Sequence, residues 1–246
     1  QIDYMLTNWQ KKTINSGTSI AYTASCHSND HRILIAIEGN SGRYTISYDG
    51  GASWINNLSL PDNTFKAKDV AYSPLLGKFC IIGEGDKVYT SYYGSSEWQS
   101  SSIINNNYTS ICWSQNLKCF FIVADNSPNV MFSRDGETWI SRPLNATLSY
   151  TSICYSPEDH LLIAVGKSSD KVIISRDGIT WEVKEAALPI IKNWNKIVYA
   201  PLIRTYVIIS DDCDKCCISN DGINWKSANL VGGTRSYKSI IFHEGL

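Results

Sequence analysis

The heptapeptide SRDGITW, Ser175 to Trp181, returns with small changes as SRDGETW (Ser133 to Trp139) and SNDGINW (Ser219 to Trp225). A copy one residue longer, SYDGGASW (Ser47 to Trp54), keeps its serine, aspartate, glycine and tryptophan, whereas SYYGSSEW (Ser91 to Trp98) has Tyr93 in place of the aspartate. Counted from Trp9, successive tryptophans of this series lie 45, 44, 41, 42 and 44 residues apart, a tandem repeat with a period near 43. A fixed period of that size means one supersecondary unit per repeat, stacked on its neighbours.

A second block precedes each box: TSICWSQNLKCFFIVA (109–124), TSICYSPEDHLLIAVG (151–166), NKIVYAPLIRTYVIIS (195–210), KDVAYSPLLGKFCIIG (68–83) and the divergent ASCHSNDHRILIAIEG (24–39). Each repeat holds four short β-rich runs, A to D, separated by polar turns, and no stretch has helical periodicity long enough to compete. Four strands per 40 to 45 residues predict a β-propeller. One twisted four-stranded sheet cannot bury both of its faces, but a ring of such sheets stacks each on the next and leaves only short edges.

The fold class expected is therefore all-β, a propeller of antiparallel four-stranded blades in a single domain over residues 1–246. Five complete repeats fall at roughly 15–58, 59–102, 103–142, 143–184 and 185–229. Trp9 with Gln10 to Thr13 reads as a D strand and Ser236 to His243 as an A strand, with Phe242 aligned on Tyr155. Residues 1–14 and 230–246 are thus expected to build a partial sixth blade that closes the ring, and the chain is expected to be a fragment of a longer protein.

The box lies between runs C and D, where Asp-Gly signals a type I′ hairpin turn with positive φ at both central residues. Its serine and aspartate can satisfy turn amides and its tryptophan can cover the hairpin. Ser47, Asp49, Trp54, Ser133, Asp135, Trp139, Ser175, Asp177, Trp181, Ser219, Asp221 and Trp225 are accordingly assigned structural roles.

The boxes resemble the Asp-box, or bacterial neuraminidase, repeat S-x-D-x-G-x-[ST]-W, which Ser47 to Trp54 matches in full. The shorter box after a block such as SICYSPEDHLLIAVG is similar to repeats in tail-fibre and other structural proteins of phages and large DNA viruses. The resemblance implies the propeller fold and a place in a virion or fibre. It leaves function open, since Asp-box propellers include sialidases, sorting receptors and assembly factors as well as virion proteins.

Sialidase chemistry would require three arginines on the face away from the boxes. Arg134 and Arg176 lie inside boxes, Arg32 and Arg204 at A-B turns and Arg142 just after a box, leaving Arg43 and Arg235 for that face. Two arginines cannot form a three-arginine carboxylate clamp. No GxSxG elbow, P-loop or HExxH is present. The chain is expected not to be an enzyme.

With 22 Lys and Arg against 23 Asp and Glu, the net charge of −1 offers no electrostatic footprint for nucleic acid or an anionic membrane. No apolar run reaches the ~20 residues of a membrane span, and QIDYMLTNWQKK lacks the apolar core of a signal peptide. Five of the eight cysteines occupy aliphatic places, Cys26, Cys112 and Cys154 being equivalent in strand A and Cys80 and Cys119 lying in strand B, and read as buried hydrophobes of a reducing compartment. A virion or cytoplasmic location is expected. The C-x-x-C within DDCDKCCIS (Asp211 to Ser219) has no second ligand pair nearby, and no metal site is assigned.

Every B-C turn carries acid. Glu38, Asp86, Asp125, Asp170 and Asp214 would form a crown on one rim, and Tyr108 and Tyr150 from the D-A loops reach the same face. Aromatic rings beside carboxylates suit a glycan, and calcium could relieve the repulsion between the acids. Asp, Asn, Ser and Gly are also ordinary turn residues, and the two tyrosines equally suit a core position at the start of strand A. No cofactor is required, with calcium the one candidate ion. The function expected is a non-enzymatic binding or structural module that contacts a glycan or protein through its B-C/D-A face, as part of a larger assembly. The alternative is an intracellular scaffold or assembly factor that docks a protein partner.

Overall fold

A computed structural model describes residues 20–230 and Ile240. Four antiparallel sheets follow one another along the chain. The first has β1 (Tyr22–His27), β2 (Leu34–Glu38), β3 (Arg43–Ser47) and β4 (Ile55–Ser59). The second has six strands, β5 (Lys66–Ser73), β6 (Lys78–Tyr92), β7 (Gln99–Ser114), β8 (Cys119–Ala124), β9 (Ser127–Ser133) and β10 (Ile140–Leu148). The third has β11 (Tyr150–Ser156), β12 (Leu161–Gly166), β13 (Val172–Ser175) and β14 (Glu182–Lys184), and the fourth β15 (Trp194–Ala200), β16 (Thr205–Ser210), β17 (Lys215–Ser219) and β18 (Lys226–Asn229). In every sheet the strands pair in chain order.

This is an all-β propeller, but of four blade sheets rather than five and a partial sixth. The second and third repeats share one sheet because β6 and β7 each run through a connection that is a turn elsewhere. Residues 99–114 contain no Gly or Pro to break the D-A connection, and Glu84 and Gly85 pair with Asn107 and Asn106 across the gap. The closing blade expected from residues 1–14 and 230–246 lies, but for Leu230 and Ile240, outside the described residues.

The core sits between repeats, in four clusters. Ile35, Ile37 and Ile46 of the first repeat meet Phe79, Ile81 and Tyr89 of the second. Cys80 and Val88 of the second meet Phe120 and Ile122 of the third. Phe121 and Val123 of the third meet Leu162 and Ile173 of the fourth, and Leu161 and Ile163 of the fourth meet Tyr206 and Ile208 of the fifth. Residues that alternate along one strand thus face opposite neighbours, so the inner strands read as continuous apolar runs. Burying one such side chain stabilises the ring by ~1.5–3 kcal/mol.

The boxes form as a side-chain-to-backbone lattice. Ser133 Oγ donates to Asp135 Oδ1 at 2.9 Å and accepts the Gly136 N–H at 2.8 Å, while Asp135 Oδ1 accepts the Glu137 and Thr138 N–H groups at 2.8 and 2.7 Å. The same bonds recur at Ser175–Thr180 and Ser219–Asn224. The turn is not type I′, since Gly136, Gly178 and Gly222 have positive φ and the aspartates before them do not. Those amides already have carboxylate acceptors, so the aspartate needs no left-handed backbone. A Cβ on Gly178 would come within 2.5 Å of Phe121 in the preceding repeat, so glycine also serves packing there. Among the described residues no helix is long and apolar enough to cross a membrane.

Candidate functional site: the axial channel and its polar face

Strand A of each repeat lines the axis: β1, β5, the second half of β7, β11 and β15. Each carries a register shift against its B strand at the same place, between Tyr22 and Ala24, Ala67 and Asp69, Tyr108 and Ser110, Tyr150 and Ser152, and Trp194 and Lys196. Such a bulge re-aims side chains locally. Here it lets two consecutive residues reach the next inner strand. Thr109 Oγ1 donates to the Tyr150 carbonyl and Thr151 Oγ1 to that of Trp194, both at 2.7 Å. Ser110 Oγ accepts the Ile153 N–H at 3.0 Å, Ser152 Oγ that of Ile197 at 3.1 Å, and Asp69 Oδ2 that of Ile111 at 2.9 Å. The recurring Thr-Ser of TSIC is a latch between neighbouring inner strands.

At the B-C/D-A end the channel opens into a recess of about 330 Å³ lined by Thr23, Lys68, Asp69, Thr109, Thr151 and Lys196. A recess of about 290 Å³ beside it holds Asn107, Asp125 and Lys167, sharing Lys68 with the first. A third, of about 420 Å³, lies among Asp62, Lys66, Glu84, Asp86 and Lys87. Glu84 is paired with Lys66 at 2.9 Å and Lys68 at 3.3 Å, which hold its carboxyl below the ordinary value.

The acids expected to form a crown are therefore dispersed. Asp86 and Asp125 occupy different recesses, each beside lysines. Glu38 ends β2, half-buried, and its charge raises Tyr22 after burial has done so. Asp170 and Asp214 are half-buried and accept, through their carbonyls, the N–H groups of Leu188 at 2.8 Å and Leu230 at 2.6 Å. Among the described residues no three His, Cys, Asp or Glu side chains come close enough to share a metal ion, so the crown provides calcium with no common site there. Tyr108 and Tyr150 are 1% and 0% exposed and donate to the carbonyls of Ile104 and Ala146. Their rings are core and unavailable for stacking on a sugar, as the strand-start alternative allowed. Lys68, Lys196 and the Thr-Ser latches were missed; the doubled TSIC and the unmatched lysine of NKIV were the available signals.

No protein-family model matches the chain, and no curated protein is similar to it in sequence. Solved structures do share its fold. Streptogramin B lyase superposes with a TM-score of 0.74 at 11% identity, over 90% of this chain and 72% of that one. YCF48 bound to D1 peptide gives 0.65 at 15%, over 86% and 70%. The nidogen/laminin complex gives 0.67 at 11%, over 89% and 83%. At these identities the likeness is one of fold, and the chain is a β-propeller.

Proposed function

We propose that this propeller is a non-enzymatic binding module that takes a segment of a protein partner on its B-C/D-A face. The observation that carries the reading is the run of polar recesses on that face, with lysines and carboxylates side by side. Mixed charges and hydroxyls in shallow recesses suit the amides and side chains of a polypeptide. Two of the fold neighbours are seen with a peptide or a protein, which supports the reading, while a third is a lyase, so the fold alone does not decide it. Burial keeps the axial thiols protonated, and the box carboxylates are occupied by turn amides, which supports a non-catalytic role.

The resemblance of the boxes to phage and large-virus repeats supports a place in a virion or fibre, and an intracellular scaffold would use the same face. A glycan ligand has lost its stacking residues. The test is selection of displayed peptides on the immobilised chain, alongside a glycan array with calcium and with chelator. Selected peptides should lose at least tenfold in affinity to Lys68→Glu and to Asp125→Lys. Peptides indifferent to both variants, or calcium-dependent glycan binding without peptide binding, would overturn the proposal.

A further inference from the structure

On the box side of the axis lies a second cavity, of about 660 Å³, with a different character. The residue three places after Ala24, Asp69, Ser110, Ser152 and Lys196 in the inner strands places a ring in its wall: His27, Tyr72, Trp113, Tyr155 and Tyr199. Three of these rings are fixed from behind by the second residue of strand B, Tyr72 on Phe79 at 4.6 Å between centroids, Trp113 on Phe120 at 4.8 Å and Tyr199 on Tyr206 at 4.6 Å. His27 is exposed at the rim. Such walls are preorganised: little side-chain freedom remains to be lost when a ligand enters.

Cys26, Cys112 and Cys154 line the same cavity, where burial pushes Cys26 and Cys154 up to about 12 and Cys112 well above its ordinary value. They are neutral thiols at pH 7. Lys196 is the one Lys, Arg, Asp or Glu among the described lining residues, and it stands where the other repeats have Ala24, Asp69, Ser110 and Ser152. Its charge acts on all three thiols against the effect of burial, while the charge of Asp69 acts on Cys26 and Cys112 with it. Among the described residues it makes no ion pair, and Asp69, the carboxylate at the neighbouring mouth, is already held by the Val70 and Ile111 N–H groups. The described lining is therefore aromatic and apolar, with the Lys196 ammonium at its inner end outside any ion pair among the described residues.

We propose that this cavity binds a small amphipathic anion, a flat aromatic body bearing a single carboxylate, with the rings taking the body and Lys196 Nζ the carboxylate. Aromatic faces and thiols favour a planar, polarisable body, and a lysine reads the charge as a point. The cavity opens on the box side and meets the docking-face recess at Lys196, which lines both, whereas Lys68 and Asp125, the residues that test the docking face, lie outside it.

The test is calorimetric titration of the full chain with 2-naphthoate, 2-naphthylmethanol and 2-naphthylmethylammonium. Saturable one-to-one binding is expected, tightest for the carboxylate and weakest for the ammonium. Lys196→Met should weaken the carboxylate at least tenfold and leave the alcohol within about twofold. Cys112→Phe, which fills the cavity from a half-buried position, should abolish binding of all three, with circular dichroism showing that the variant is folded. Equal affinities for the three head groups, an unchanged Lys196→Met, or full binding by folded Cys112→Phe would overturn the proposal.

Discussion

The seams joining the third repeat to the fourth and the fourth to the fifth differ from the seam between the first and second. The former are latched at the axis by the hydroxyl pairs Thr109–Ser110 and Thr151–Ser152. At the latter, Ala24 offers no acceptor, and the Val70 N–H turns instead to Asp69 of its own repeat at 2.9 Å. That seam is held further out. Tyr48 donates to the Gly94 carbonyl at 2.6 Å, the Trp98 indole N–H donates to Tyr44 Oη at 3.0 Å, and the two rings meet edge-on at 5.5 Å. Aromatic packing toward the rim is thus common to these seams, as where Phe121 meets Trp181 edge-on at 6.3 Å between the third and fourth repeats, and the later seams add short hydroxyl bonds at the axis that the first lacks. The difference bears on binding, since Thr23 and Ser25 at the unlatched inner edge stay exposed and line the axial recess.

The largest effect should come from breaking the rim seam. Trp98→Ala removes a buried ring and leaves Tyr44 Oη without its donor, and should cost ~3–5 kcal/mol of stability, measured as the urea midpoint. Asp69→Ala, which strands the buried amide of Ile111 at the axis, should cost ~2–3 kcal/mol in the same assay. Ser152→Ala should cost ~1–2 kcal/mol, since it leaves the Ile197 N–H without its neutral acceptor. If Ser152→Ala destabilised the chain as much as Trp98→Ala, the two kinds of seam would not be distinct.

The repeat, the strand order within it and the box chemistry were legible in the sequence because each recurs: Ser133, Ser175 and Ser219 make the same bonds in three copies. The fusion of two repeats into one sheet was not legible, because whether Ile103–Asn107 turns or stays extended depends on pairing with Glu84 and Gly85 rather than on any breaker residue. The polar face was read from its acids alone. Each acid was visible in its turn, but the lysines that neutralise them, such as Lys66 and Lys68 at Glu84, come from another strand, and only the bulge geometry brings those strands into register. Tyr108 and Tyr150 stand at loop ends in the sequence and in the core in space, because the bulge that follows them turns the strand inward.

Acid should act on the boxes before the seams. Hydrogen bonds from Ser53 and Ser47 hold Asp49 at about 2; at Asp135 burial opposes ionisation, but the Thr138 and Glu137 amides outweigh it and again leave about 2. Both lie below the ordinary aspartate value near 3.8, so the ionised carboxylate is favoured in the folded chain. Their contribution is therefore complete above about pH 4 and is lost as pH falls toward 2. Thermal scans should show the melting temperature flat from pH 7 to 5 and falling below 4. Asp135→Asn, which keeps an oxygen acceptor but cannot titrate, should shallow that fall; an unchanged slope would mean that the boxes do not govern the acid response.

The smallest effect tests the one box that abandoned this chemistry. In Ser91–Trp98 the aspartate's place is taken by Tyr93, which has φ of 51°, followed by Gly94 at 68°, so this copy, unlike the three seven-residue boxes, puts both of these residues in the left-handed region. A bulky side chain there is strained, whereas asparagine tolerates the conformation. Its ring, 60% exposed, covers Gly77, where a Cβ would meet it at 2.6 Å, so some packing offsets the strain. Tyr93→Asn should accordingly stabilise the chain by only ~0.5–1 kcal/mol in urea unfolding, the relief of a left-handed backbone less the lost contact. The same variant should leave the pH dependence untouched, because the box of repeat two lacks the aspartate that accepts the turn amides in the others. A loss of stability would show that the ring on Gly77, a contact within the second repeat, matters more than the backbone beneath it.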